Sequence, residues 1–303
     1  MNEISGQFCT VPGVDILIAG FVCKSVSMQN ERRGKAKNCI RNASGLTGVT
    51  FKGIVDYVNA KRPAVVILEN VQGLMMGNQR RKPVIFDVAE RFKKLDYAFD
   101  YRLLNTMFYL LPHRRNRCWM WAFRGHSNQG AAERAGKIIC GLGQKKCWTM
   151  EDLFTKVQAR PDQPSKKLVP RERTVLKEVK KRVPRHVRSG LVVDVGQSVG
   201  RWHFCGNGAS PCILPNSKIY GKVGRSWQVL GVEQLMALQG IFKEDFKELP
   251  AWAKTRGKRG TSRDLIGNAF SSTVLLAVGM GVVAEGPLHE CPPPASLAPL
   301  GGA

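Results

Sequence analysis

The hydrophobic pattern changes period along the chain. An apolar run at 14–19, VDILIA, ends in Gly20 and predicts a buried strand over 14–20. FKGIVDYV then places Phe51, Ile54, Val55 and Val58 at helical spacing. After Pro63, AVVILEN is short, β-branched and continuously apolar, which suits a parallel strand covered on both faces. VIFDVAERFKKL returns to the helical period through Val84, Val88, Phe92 and Leu95. YRLLNTMFYLL and CWMWAF (118–123) read as strands. Strand and helix therefore alternate from about 14 to 123, the pattern of an α/β fold with helices crossing over a parallel sheet.

Beyond 126 the alternation stops. Residues 126–228 are rich in Gly, Pro, Lys and Arg, and read as an irregular insert. Its most basic part, KKLVPRERTVLKEVKKRVPRHVR (166–188), has ten Lys or Arg against two Glu and reads as a solvated loop or linker. VEQLMALQGIF (232–242) is helical in spacing, and AKTRGKRGTSR (253–263) is a second basic loop. DLIGNAFSSTVLLAVGMGVV reads as a turn followed by a helix that rejoins the core. The division predicted is 1–125, 126–228, 229–285 and a disordered tail at 286–303.

Charge adds a partner class to this picture. The 303 residues carry 47 Lys and Arg against 23 Asp and Glu, a net charge of +24. Such a chain repels itself unless a polyanion neutralises it, and nucleic acid is the commonest polyanion. Composition alone leaves open a basic protein with no such ligand. Nine cysteines, an odd number without a C-x-x-C pair, argue against both a disulfide framework and a zinc site, and so for a reducing compartment. The first residues, MNEISGQF, lack the pattern of a secretory signal. TVLLAVGMGVVA (273–284) is too short to span a bilayer.

In open α/β sheets, sites form outside the carboxyl ends of the strands. One predicted strand delivers Cys23 just past Gly20, and another delivers Glu69 and Asn70 just past VVIL. Lys24 beside the cysteine would favour the reactive thiolate.

From these residues on, the chain resembles the cytosine-C5 methyltransferases. GFVCKSVS (20–27) is similar to their G-F-P-C-Q-x-x-S segment, and ILENVQGL (67–74) to the E-N-V segment. LPHRRNRCWMWAF (111–123) resembles the P-Q-R-R-x-R segment and its strand. LMALQGIF (235–242) resembles the segment closing the variable region, and LIGNAFSSTV (265–274) the final G-N-A segment. The five lie in the family's order.

The resemblance implies a Rossmann-like methyltransferase sheet plus a smaller irregular target-recognition region. It implies methyl transfer from S-adenosylmethionine to carbon 5 of a flipped cytosine in DNA. Cys23 would be the nucleophile. Glu69 would hold a proton at ring nitrogen 3, and Asn70 would shape the pocket. Arg115 and Arg117 would hold the cysteine loop and the cytosine carbonyl oxygen. Asn268 would belong to the cofactor site. A catalytically dead DNA-binding relative and a transfer-RNA methyltransferase are the alternatives. The basic run KEVKKRVPR (177–185) is compatible with a nuclear address, or with the nucleoid of a prokaryote.

Three departures stand out. Val22 and Lys24 replace the proline and glutamine beside the family's cysteine, and His113 replaces the glutamine of the arginine segment. The family's glycine-rich cofactor turn lies several tens of residues upstream of its cysteine, yet only 22 residues precede Cys23. The G-x-G of VGMGVV (278–283) sits inside an apolar helical run and is a weak match. The expectation is a sheet without its first strands, completed by a missing N-terminal segment or by a partner chain.

Overall fold

The run Ile16–Gly20 is strand β1, and it pairs in parallel with β2, Val65–Val71. These elements come from a computed structural model, which describes residues 10–27, 38–77, 82–144, 147–157, 168–198, 200, 203–215, 217–223, 226–242, 244–245 and 265–290. The basic loop predicted at 253–263 and residues 291–303 of the predicted tail lie outside the described residues. The chain divides into two compact units. The first holds residues 1–103, 117–140 and 279–303, and the second holds 104–116 and 141–278.

In the first unit, helix α1 (Gly45–Lys61) connects β1 to β2, and α2 (Ile85–Lys94) connects β2 to β3 (Tyr97–Asn105). Strand β4 (Asn116–Arg124) inserts between β2 and β3, giving the order β1-β2-β4-β3. The expectation of a wholly parallel sheet is corrected here, because β4 runs antiparallel to β2. The reason lies in the connection. A parallel return needs a crossover of roughly a dozen residues or more, usually a helix. Between β3 and β4 the chain makes only a turn at Thr106–Phe108 and a short loop. The sheet is mixed, within a Rossmann-like α/β fold.

Strand β2 is buried along Val65–Asn70, which explains its unbroken apolar sequence. Phe51 and Val58 of α1 and Val88 and Phe92 of α2 join Val66, Leu68 and Met120 in one core. Helix α3 (Gln129–Gly141) follows β4, and Trp121 of the sheet donates its indole N–H to Ala132 O at 2.8 Å. Tyr97 is buried and donates its hydroxyl to Pro63 O at 2.6 Å. Burial pushes its phenol pKa up to about 12.

The second unit contains structure where an irregular insert was expected. Helix α4 (Met150–Lys156) opens on a capping box in which Thr149 and Asp152 satisfy each other's backbone N–H. The basic run folds in part as α5, Pro170–Arg182. Its Val175, Leu176 and Val179 are buried, while Lys177, Lys181 and Arg182 face solvent. A small antiparallel sheet, ordered β6-β5-β7-β8, is built from Val192–Asp194 (β5), Phe204–Cys205 (β6), Ile219–Val223 (β7) and Ser226–Val229 (β8). Strands of two to five residues interrupted by glycine carry too little periodicity to read from sequence.

Buried Asp194 ties this sheet together. Its carboxylate accepts from Ser217 Oγ at 2.5 Å, Lys218 N at 2.8 Å and Gly196 N at 3.0 Å. Helix α6 is Val232–Ala237, and α7 is Ser272–Glu285. The stretch Leu265–Glu285 is long and apolar enough, by length and composition alone, to cross a membrane. It packs as a core helix does: Val274, Val278 and Val282 are buried, and Gly281 lies against Ala135 and Ile139 of α3.

Candidate active site

Register brings the first two candidate segments together. Gly20, the last residue of β1, stands opposite Glu69 in β2. Cys23 therefore leaves the sheet within three residues of the point where Glu69 and Asn70 reach its carboxyl edge. The chain turns over 23–27, where Cys23 O accepts from Val26 N at 3.0 Å and Ser27 N at 2.9 Å. Phe21 and Val26 are buried on either side, and Phe21 packs on Phe51 with ring centroids 5.1 Å apart. Cys23 is half-buried, its side chain at the border of the core.

Three side chains grip this loop by its backbone. Asn70 is 2% exposed; its Nδ2 donates to Phe21 O at 2.9 Å, and its Oδ1 accepts from Val71 N at 2.9 Å. Thr50 Oγ1 accepts from Val22 N and Thr47 Oγ1 accepts from Ser25 N, each at 3.1 Å. Both threonines stand on the first turns of α1. Gly48 lets those turns press on the 39–43 segment, since a Cβ there would lie 2.1 Å from Cys39 O. The sequence reading missed both threonines. The available signal was two β-branched hydroxyl residues three apart in a helix, where such residues are not favoured.

Glu69 forms an ion pair with Arg117, Oε1 to Nε 2.9 Å, and both side chains are nearly buried. The sheet explains the pairing. Val71 stands opposite Arg117 and Glu69 opposite Trp119, so Glu69 and Arg117 share one face as diagonal neighbours. Beneath them Cys118 is fully buried, and burial, reinforced by the Glu69 carboxylate, holds its thiol well above the usual range. Cys118 packs wholly inside the core, whereas Cys23 is half-buried at its border.

The other two candidates belong to the second unit. Arg115 is 2% exposed. It donates to three backbone carbonyls: Ile213 O at 3.3 Å, Gly267 O at 3.1 Å and Ala269 O at 2.9 Å. Arg117 pairs with a carboxylate in the sheet, whereas Arg115 ties down the G-N-A turn. Strand β4 begins at Asn116, so Arg117 lies in the strand and Arg115 in the loop before it.

Asn268 is exposed on the helical turn 265–268. Gly267 beside it packs backbone to backbone, since a Cβ would meet Pro215 N at 2.5 Å. Buried Gln239 of the LQG segment donates to Ile266 O at 2.8 Å and accepts from Ser271 Oγ at 2.9 Å. Gly240 has φ +75°, and a Cβ there would collide with Ser272 Oγ. His113 is fully buried and its Nε2 accepts from Ile213 N at 3.0 Å. The L-Q-G, G-N-A and arginine segments thus build one hydrogen-bonded frame.

Compared with known proteins, residues 1–279 match the family described as C-5 cytosine-specific DNA methylase. The chain belongs to this family. Among its relatives is the type II methyltransferase M.HhaI of Haemophilus parahaemolyticus, 28% identical over 191 residues, which cover 62% of this chain and 52% of M.HhaI. Another is the DNA (cytosine-5-)-methyltransferase DMT5 of Cryptococcus neoformans, 35% identical over 118 residues, 39% of this chain and 4% of that protein. The matched region thus spans about half of M.HhaI and a small part of DMT5. Among solved structures, a mutant of Spodoptera frugiperda DNMT2 superposes with a TM-score of 0.51 at 11% identity, over 89% of this chain and 80% of the other. That likeness shows a shared fold.

The described residues do not form a cradle for S-adenosylmethionine. Asn268 is exposed, Gly267 is occupied by backbone packing, and no glycine-rich turn follows β1 or β2. Among the described residues no cluster of His, Cys, Asp or Glu suits a metal ion.

Proposed function

We propose that this chain carries the cysteine-addition chemistry of a DNA cytosine-C5 methyltransferase and grips DNA through its basic second unit. The observation that supports this most is the Gly20–Glu69 register, which sets the Cys23 loop and the Glu69–Arg117 pair at neighbouring strand ends. Carbon 5 of cytosine is a poor nucleophile. Addition of the Cys23 thiolate to carbon 6 forms a C–S bond and moves the ring π electrons to carbon 5. Glu69, oriented by Arg117, holds a proton at ring nitrogen 3, so the adduct does not carry a full negative charge. Carbon 5 then takes an electrophile, which is a methyl group in the reaction of the family. A base removes the carbon-5 proton, the C–S bond breaks and the thiolate leaves. The target must leave the base stack to meet the sulfur.

This part of the cycle needs no methyl donor. With water supplying a proton in place of methyl, the same addition and elimination exchange the hydrogen at carbon 5. Incubation with DNA tritiated at cytosine carbon 5 is therefore expected to release tritium into water. No release, together with salt-sensitive DNA binding, would instead assign the chain as a DNA-binding relative without chemistry. Release from tritiated transfer RNA but not from DNA would move the substrate to RNA.

DNA grip carries its own prediction. Lys177, Lys181 and Arg182 are exposed on α5, opposite its buried valines. Replacing all three with Ala is expected to weaken binding of every DNA sequence alike. The slope of log K against log salt should become shallower by up to about 3, roughly 0.9 for each phosphate no longer neutralised. An unchanged slope would place the DNA on another surface.

A further inference from the structure

The family's cysteine follows a proline, and this chain has Val22 there. A proline at that position would fix φ and present no N–H. Valine restores both the rotation and a donor that must find a partner. The donor finds Thr50 Oγ1 at 3.1 Å. The hydroxyl is itself oriented, because it donates to Leu46 O at 2.7 Å, one turn back in α1. Thr47 O lies 3.2 Å from the same hydroxyl, which thus donates back into α1 while accepting from the loop. Two residues past Cys23, Thr47 repeats the device on Ser25 N, from a side chain that is wholly buried. The cysteine is thus flanked by two backbone N–H groups, each held by a threonine of the same helix.

We propose that Thr47 and Thr50 are positioning residues for Cys23, their hydroxyls fixing the 22–25 backbone in place of the family's proline. The inference rests on the reading of Cys23 as nucleophile. A thiolate attacking carbon 6 needs a defined line of approach, and a misplacement of about 1 Å costs a reaction on the order of a hundredfold. Loss of one hydroxyl frees one backbone N–H and lets the loop swing, without touching the sulfur.

The test compares Thr50→Val and Thr47→Val, which keep side-chain shape, with Thr50→Ser and Thr47→Ser, which keep the hydroxyl. One arm measures iodoacetamide labelling of each cysteine against pH by peptide mass spectrometry. The other measures kcat and KM for tritium release from cytosine carbon 5. In each Val variant Cys23 is expected to label about threefold faster, the freed loop exposing its sulfur, while buried Cys39 and Cys118 stay unlabelled. The kcat for exchange should fall about tenfold with KM for DNA unchanged, and the Ser variants should restore both readouts. Val variants that label and exchange like the unmodified chain would overturn the proposal. So would Ser variants that fail to restore, or a Val variant that exposes Cys118 as well, since that makes the hydroxyl a folding element. Labelling needs neither DNA nor methyl donor, so it judges the loop even when the unmodified chain releases no tritium. That last result would count against the functional reading alone.

Discussion

Replacing Cys23 with Ala is expected to abolish tritium release from cytosine carbon 5 while leaving DNA affinity within about twofold. The loss should be at least about 10⁴-fold, the scale seen when a covalent nucleophile is deleted. The asymmetry between the two readouts follows from where the residue sits. Cys23 is half-buried at the rim of the core, and the backbone around it is held by Asn70, Thr47 and Thr50. Removing one atom there disturbs little packing and leaves the cations of α5 in place, so binding persists while the step that makes carbon 5 nucleophilic is gone. Exchange that survives Cys23→Ala would show that another group adds to carbon 6, and the mechanism would have to be rebuilt.

Arg115→Met is expected to destabilise the second unit by about 3–6 kcal/mol. The arginine is buried, and its guanidinium donates to three carbonyls on two separate segments. Methionine fills similar space but leaves those acceptors without this donor. A buried group left unsatisfied costs roughly 1–3 kcal/mol, and whole domains are stable by only about 5–15 kcal/mol. The loss should appear as a lower urea midpoint, and as faster amide exchange around 213 and 266–271 than in the sheet of the first unit. Lys at this position should recover only part, because an ammonium offers one point where the guanidinium offers a fork. An unshifted midpoint would mean that the three bonds add nothing net.

What the sequence disclosed and what it withheld divide along physical lines. The β1 and β2 strands, and the placing of Cys23, Glu69 and Asn70 at or just past their ends, were legible because a covered strand writes its burial as an unbroken apolar run. A strand's end is then a fixed place for a side chain. The direction of β4 was hidden, since CWMWAF reads the same whichever way it runs; only the short, helix-free link from β3 decides it. Helix α5 was hidden by its charge, because three buried apolar residues among so many cations look like a solvated tract until a surface is supplied for them. The partners of Arg115 and of the two threonines are distant in sequence, 98–154 residues for the arginine and 22–28 for the threonines. No local pattern encodes such pairings.

Strand β1 lies at the margin of its sheet, and its five residues, Ile-Leu-Ile-Ala-Gly, include no charge or proline to discourage pairing; Ile18 is 46% exposed. A net charge of +24 opposes the approach of two such copies. Concentrated buffer shortens the reach of that repulsion from about 10 Å at 0.1 M to about 3 Å at 1 M. If β1 edges pair between copies, raising the salt is expected to increase the sedimentation coefficient, and an unchanged coefficient would show that they do not.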